Sequence, residues 1–397
     1  ASQQAPSPPS APHPKGVVEL DLTRASSLSK RLTLATITPP QTNGENVEPT
    51  SGAHCLVLDI SYSMDDEAKI TNDDGDKVSH GWSLLDVVKH ACCTFVQSLS
   101  ASDFVCIVTY ASEARLMVNW TACTDDGKAS LDRTLRALRT EGVTNLRDGI
   151  KFGCKTFEDL PQQVASSPHE YSMQLVVCTD GNPTASYHPP GGQGGYRAYT
   201  DGLKGEIDEA HGPTAIPTVT AIGFGNSLDS QLLNSFSDTF LHLPDPGSVG
   251  PFIVNFLAAA RSTAKLTARG VGVVVANHGK LIIEPADEVM SLPGFTSMPW
   301  RNGAALAIEI GSVLYDAPRH VLIQTVSDDV ELRVTLEVSG HEVATAERTS
   351  EDKSASAFSA QIDRTAVVCA LEPFQRAQGN MPAVGYGGRR GAAAADT

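Results

Sequence analysis

Several things are scarce in this chain, and each scarcity closes a class of function. Its longest apolar run, residues 251–260, falls far short of the ~20 residues a helix needs to cross hydrocarbon, and it reads as an amphipathic core helix. Basic residues are in deficit, 30 Lys and Arg against 46 Asp and Glu, for a formal net charge of −16. With no basic stripe to neutralise phosphates or an anionic bilayer, neither nucleic acid nor a membrane is expected as a partner. Catalytic signatures are missing too. There is no Gly-x-Ser-x-Gly elbow and no His-Glu-x-x-His, and no Gly-Lys-Ser/Thr follows the glycine-rich stretch 182–196. His54, His90, His169, His188, His211 and His242 are scattered and read as structural or surface residues.

Cysteine is present without forming a framework, 8 in 397 residues. Cys55, Cys106 and Cys178 lie inside predicted buried strands, where a thiol acts as a small hydrophobe, and Cys92 and Cys93 are neighbours on a helix and point apart. No disulfide lattice and no paired Cys/His grid follows from such spacing. Free thiols in a reducing compartment are expected, which favours the cytoplasm; secretion is the alternative, for which Asn119-Trp120-Thr121 supplies a sequon. The first residues, Ala-Ser-Gln-Gln-Ala-Pro, lack the charged and apolar regions of a signal peptide.

What is present is a chain with 41% hydrophobic and 19% charged residues, enough to bury two cores. Residues 1–15, rich in Pro, Ser and Ala, are expected to be disordered, and residues 16–50 to carry two half-buried strands around 17–22 and 31–38. From residue 53 the pattern alternates strand and helix, as in α/β folds. Leu84, Val88, Cys92, Phe95 and Leu99 give one helical stripe, and Leu146, Ile150, Cys154 and Phe157 another. Val249, Phe252, Ile253, Phe256, Leu257 and Ala260 give a closing helix. Beyond residue 263 the period falls to two, as in Ala304-Leu306-Ile308-Ile310 and Val330-Leu332-Val334-Leu336-Val338, which predicts an antiparallel β-sandwich over 263–365. The early strands would otherwise be orphans, so they are expected to join it. Residues 366–376 read as a helix or last strand at the head of a mostly disordered tail, 366–397.

Three separate stretches carry the chemistry. Asp59 ends the apolar run 55–58 and opens Asp59-Ile-Ser61-Tyr-Ser63; Gly142-Val-Thr144-Asn145 precedes a helix; Asp180-Gly181 ends the run 175–178. In an open parallel sheet, ligands bind beyond the carboxyl ends of the strands, where both aspartates fall. Asp59, Ser61, Ser63, Thr144 and Asp180 form an oxygen-only donor set of two carboxylates and three hydroxyls, which selects a hard cation. Mg²⁺ fits best, with Mn²⁺ or Ca²⁺ as substitutes. Tyr62, Asn145, Gly181 and Asn182 are placed on the ligand-binding rim, with Trp82 as a further candidate. The segment 64–80 reads as a polar turn, because the spacing of Asn72-Asp-Asp-Gly-Asp76 does not fit an EF-hand and lacks the distal Glu. The stretch 182–196 reads as a long loop beside the cup.

These residues resemble the von Willebrand factor A (VWA) domain and its metal-ion-dependent adhesion site (MIDAS), and all five motif positions match. The resemblance runs from about residue 53 to about 264, and residues 79–91, 224–233 and 243–250 resemble its intracellular eukaryotic branch. There the A domain is joined to a β-rich region and, in some members, to a Hint domain, U-box or RING finger, none of which is seen in this sequence. The resemblance implies a doubly wound, Rossmann-like VWA domain over 53–262 beside the sandwich. It also implies metal-dependent capture of an Asp or Glu side chain from a protein partner; no catalysis is expected, because hydroxyl-rich ligation leaves no spare general base. Rival readings are a structural subunit of a larger assembly, the substrate receptor of a ubiquitin ligase or self-processing protein, and a Mg²⁺-assisted hydrolase built on Asp59 and Asp180.

Overall fold

Two strands open the fold, β1 (Glu19–Arg24) and β2 (Leu32–Thr38), paired antiparallel, and neither belongs to the sheet that follows them. The computed structural model describes residues 16–41, 50–71, 77–225, 228–243, 245–347, 349–351 and 358–367. The expected disordered segment 1–15, the 72–76 turn and residues 368–397 of the tail lie outside the described residues.

β3 (Gly52–Asp59) is buried along its whole length, as its uninterrupted apolar run requires of a strand covered on both faces. The hairpin β4 (Glu67–Thr71) and β5 (Lys77–Ser83) comes next, then helix α1 (Leu84–Ser98). Where a polar turn was expected, the chain forms this hairpin, docked through the buried Ala68. A single apolar anchor among polar residues gives no periodicity to read. Ser83 and Asp86 form a reciprocal capping box that starts α1 at the hairpin's end.

The rest of the main sheet is β6 (Phe104–Tyr110), β7 (Ala114–Ala122), β8 (Ser172–Thr179), β9 (Thr218–Phe224) and β10 (Thr239–Leu243). Its order is β10-β9-β8-β3-β6-β7, parallel except for the antiparallel edge strand β7. The helices divide between its faces. α1, α2 (Asp125–Ala137) and α7 (Val249–Arg261) cover Leu56 and Leu58 of β3. α3 (Leu146–Lys155), α5 (Tyr196–His211) and α6 (Ser230–Phe236) cover Cys55 and Val57 on the other side, with the short α4 (Gln162–Ser166) nearby. This is the doubly wound arrangement. The stretch after residue 182 is less open than expected: it makes two 3₁₀ turns, Ala185–Tyr187 and Gly192–Gly195, and then the 16-residue α5.

Past α7 the chain forms a ribbon, β11 (Lys265–Ala268) with β12 (Gly272–Val275), and then β13 (Gly279–Glu284), β14 (Val289–Ser291), β15 (Ser297–Trp300), β16 (Ala305–Gly311), β17 (Arg319–Thr325), β18 (Arg333–Val338), β19 (His341–Ala346) and β20 (Thr349–Glu351). Two five-stranded sheets result, ordered β14-β17-β2-β1-β20 and β15-β16-β13-β18-β19. Leu22, Ile37 and Ile323 of the first share one core with Leu281, Ile308, Val334 and Leu336 of the second. Residues 358–367 are helical, and Phe358 and Ile362 pack on Ala25, Leu34 and Leu322. The carboxylate of Asp103 ties the junction: it accepts from the Gly52 amide at 2.8 Å, the Ser100 amide at 2.7 Å and the Arg261 guanidinium at 3.2 Å. Among the described residues no helix is long and apolar enough to cross a membrane.

Candidate metal centre

The carboxyl ends of β3 and β8 lie side by side because the two strands pair in parallel, and this places Asp59 next to the β8 terminus. Asp59 is fully buried. Its Oδ1 accepts the Ser61 amide at 2.9 Å, while its Oδ2 accepts the Tyr110 hydroxyl at 3.2 Å and the Thr179 hydroxyl at 2.8 Å. The backbone then turns into the 3₁₀ segment Tyr62–Asp65. Ser61 Oγ and Ser63 Oγ lie 3.1 Å apart, and Thr144 Oγ1 donates to Ser61 Oγ at 3.0 Å. Three hydroxyls from two distant stretches therefore meet at one point. Asp180 joins from the end of β8, where its Oδ1 accepts the Asn182 amide at 3.2 Å and Ser63 also bonds its carboxylate.

Thr144 reaches the cup through a backbone lattice. The Glu141 amide donates to Ile60 O at 2.6 Å, the Tyr62 amide to Gly142 O at 3.2 Å, and the Asn145 amide to Ala111 O at 2.8 Å. Gly142 sits at φ +63°, and a Cβ there would meet Ser112 Oγ at 2.7 Å, so the turn that delivers Thr144 needs glycine. Thr184 closes the other side, its amide donating to Thr144 O at 2.9 Å and its hydroxyl accepting from the Thr144 amide at 3.3 Å.

The electrostatics fit a cation. Burial, and then the neighbouring Asp180, push the Asp59 carboxyl up to about 6, against the opposing hydrogen bonds from Ser61 and Thr179. Burial raises Asp180 as well, with Asp66 adding to it and Ser63 and the Asn182 amide opposing. Burial and Asp59 hold the Tyr110 hydroxyl well above its usual range, so it stays a donor. Among the described residues no Lys or Arg forms an ion pair with Asp59 or Asp180. Two buried carboxylates beside three converging hydroxyls match the oxygen donors of a hard divalent ion, whose charge would compensate theirs.

All five predicted donors are thus brought together, whereas the predicted rim divides. Tyr62 is 66% exposed and Asn182 is also at the surface. Asn145 and Gly181 are not on the rim. Asn145, 5% exposed, caps α3: its side-chain oxygen accepts the Asp148 amide at 3.2 Å and its Nδ2 donates to Ser112 O at 3.0 Å. Gly181 is buried at φ +77°, close against Leu228 and Leu233. Trp82, 39% exposed, packs edge-on against His90 with ring centres 5.5 Å apart. Tyr110, Thr179 and Thr184, which support the cup, were missed from the sequence. Tyr110 pairs directly with Asp59 across β3 and β6, a register no linear motif displays. Thr179, immediately before Asp180, was the legible one of the three.

Residues 55–182 match the model of the von Willebrand factor type A domain. No curated protein matches the chain. Among solved structures it is similar to a von Willebrand factor type A protein from Catenulispora acidiphila, at 12% identity over 87% of this chain and 76% of that one, with a TM-score of 0.56. It is also similar to the ArnB paralog VWA2 from Sulfolobus acidocaldarius, at 13% identity over 85% and 77% of the two chains, TM-score 0.44. A third is proximal thread matrix protein 1 from the mussel byssus, described with a zinc-occupied MIDAS motif, at 12% identity over 53% of this chain and 45% of that one, TM-score 0.35. The first of these likenesses and the family match show the expected fold, a mixed α/β VWA domain with an additional sheet region. Domains of this type commonly mediate protein–protein interaction.

Proposed function

We propose that the chain is a metal-dependent protein-interaction module that captures an Asp or Glu side chain of a partner. One observation carries this reading: the Ser61 hydroxyl lies 3.1 Å from that of Ser63 and 3.0 Å from that of Thr144, beside the buried Asp59 and Asp180. These five residues would hold Mg²⁺, directly or through water. When bound, the ion supplies a positively charged position to which a carboxylate oxygen from outside is attracted, because three of the five donors are neutral. The chain's own groups set the rest. Tyr110 and Thr179 fix the Asp59 carboxylate with two hydroxyl donors, Thr184 fixes the Thr144 backbone, and the exposed Tyr62 flanks the entrance.

We read the module as non-catalytic. The support is that Asp59 is occupied by three donors and shielded from solvent, which leaves it a poor general base. The segments 79–91, 224–233 and 243–250 resemble the intracellular branch of the family, and none of that branch's Hint, U-box or RING activities is proposed for this chain.

The test is thermal and chemical unfolding of EDTA-stripped protein against Mg²⁺. Ligand at ~100 times its Kd adds about 2.7 kcal/mol, so a clear rise in melting temperature is expected, and Asp180→Ala should abolish it while the metal-free fold persists. Capture of an Asp-bearing peptide should vanish in EDTA. Identical melting of the native protein with and without Mg²⁺, Mn²⁺ or Ca²⁺ would overturn the proposal. Phosphatase or esterase turnover with Mg²⁺ that is lost in Asp180→Ala would overturn the non-catalytic part.

A further inference from the structure

A groove of about 660 Å³ is lined by residues that lie two and four positions along the chain from donors of the cup. Asp65, at the end of the 3₁₀ turn that carries Ser63, lines it, and so does Thr140, in the segment leading to Thr144. Trp82, Asp86, Lys89, Arg136 and Arg139 line it as well. Three cations in one groove stand out in a molecule of net charge −16.

Two of the three are already engaged. Lys89 lies 3.4 Å from the Asp86 carboxylate, and Arg136 holds Asp132 through two bonds of 2.7 and 3.2 Å. Arg139 differs. Its Nη1 donates to Arg136 O at 3.2 Å and Leu138 O at 2.7 Å, which anchors the exposed guanidinium at the C-terminal end of α2. Among the described residues it has no carboxylate partner, and Asp65 on the same groove forms no ion pair with it. Nε and Nη2 therefore remain for an outside acceptor, and the two anchoring bonds reduce the entropy cost of using them. The Trp82 indole N–H, also without a partner among the described residues, is a second donor in the same groove.

We infer that this groove reads a second carboxylate of the same partner, so that the ligand is an acidic peptide segment and not a lone Asp or Glu. The inference rests on the metal-dependent reading above, which supplies the first anchor. Thr140 and Thr144 are four residues apart, so groove wall and cup are separated by no more than about 14 Å, a span that an extended peptide covers in about four residues. Arg139 is one residue further from Thr144, so the second acid stands within about five positions of the one that enters the cup.

The probes are two fluorescent Gly/Ser peptides, one with a single Asp and one with further Glu residues four positions to either side. Anisotropy is read in Mg²⁺ and in EDTA, at low and high salt. Expected is EDTA-sensitive binding of both, with the second peptide about three- to fivefold tighter at low salt, the upper end of what an exposed ion pair provides. Arg139→Gln should remove that advantage without changing the single-Asp affinity, and Arg139→Lys should restore part of it, which separates charge from helix capping. If both peptides bind equally in the native protein, and both are lost in EDTA, the groove inference fails and the metal reading stands. An advantage that survives Arg139→Gln overturns the assignment to this groove. No EDTA-sensitive binding of either peptide overturns both.

Discussion

At the scale of single residues, two fully buried groups, Asp59 and His54, pull stability in opposite directions as pH falls from 7 to 4. Asp59 is raised in the folded state, so the metal-free fold carries its penalty above about pH 6 and is relieved as the carboxyl protonates. A shift of about two units is worth roughly 3 kcal/mol. Asp59→Asn should therefore unfold at higher urea than the native protein in EDTA at pH 7.5, lose that advantage near pH 4, and fall below the native protein once Mg²⁺ is saturating. His54 acts the other way. Its ring sits edge-on to Phe95 with centres 5.1 Å apart, and burial lowers its pKa to about 4. The unfolded state binds the proton first, near 6.5, so the contribution of a neutral His54 is complete above that value and is lost as pH falls towards 4. In an Asp59→Asn, Asp180→Asn background, where neither raised carboxyl opposes it, urea midpoints should drop from pH 7 to pH 4.5, and His54→Phe should flatten that slope. An unchanged slope would mean that His54 is not the group that titrates.

At the scale of elements, α3 follows directly on Thr144 and packs so closely on the sheet that two of its positions leave no room for a Cβ. Gly149 and Gly153 share one of its faces; a Cβ on Gly149 would meet Tyr110 Cδ1 at 2.6 Å, and one on Gly153 would meet Val57 Cγ2 at 2.6 Å and Leu175 Cδ1 at 2.7 Å. Gly149→Ala should cost about 1–3 kcal/mol by overpacking, and because the displaced ring is the one whose hydroxyl holds Asp59, Mg²⁺ affinity measured by calorimetry should fall with it. A stability loss with unchanged affinity would show that Tyr110 does not position the carboxylate. How legible each element was follows from its packing. β3, α1 and α7 show in the sequence because continuous burial or a clean stripe leaves a pattern. α5 did not, since its buried residues Tyr196, Thr200, Leu203 and Ile207 are interrupted by Gly202 and Gly205. β13 and β17 are short apolar runs without alternation, indistinguishable from helix fragments by period alone. In the cup, the five donors were readable because the motif is written along the chain. Tyr110 and Thr184 were not, because they act across strands and loops, where only register and turns bring partners together.

At the scale of the whole molecule, the A domain interrupts a sandwich begun before it. β1 and β2 occupy interior positions of a sheet whose other strands all follow residue 288, so that sheet cannot close until the intervening A domain has been spanned. By contrast, every strand of the metal-bearing sheet, and the helices on both its faces, fall between residues 52 and 261. Unequal dependence on the N-terminal segment follows. Deleting residues 1–41 removes both interior strands, separates β17 from β20 and uncovers the side of the core that Leu22 and Ile37 close. The shortened protein should bind a hydrophobic dye and lose a calorimetric transition, while the surviving transition keeps its upward shift with Mg²⁺, because no donor of the cup has been touched. The Asp103 clasp, which joins Gly52 and Ser100 to Arg261, is retained in full by this deletion. A shortened protein that loses the Mg²⁺ shift together with the sandwich would show that the cup depends on the sandwich, and the picture of a self-contained metal-bearing layer set into a divided one would have to be abandoned.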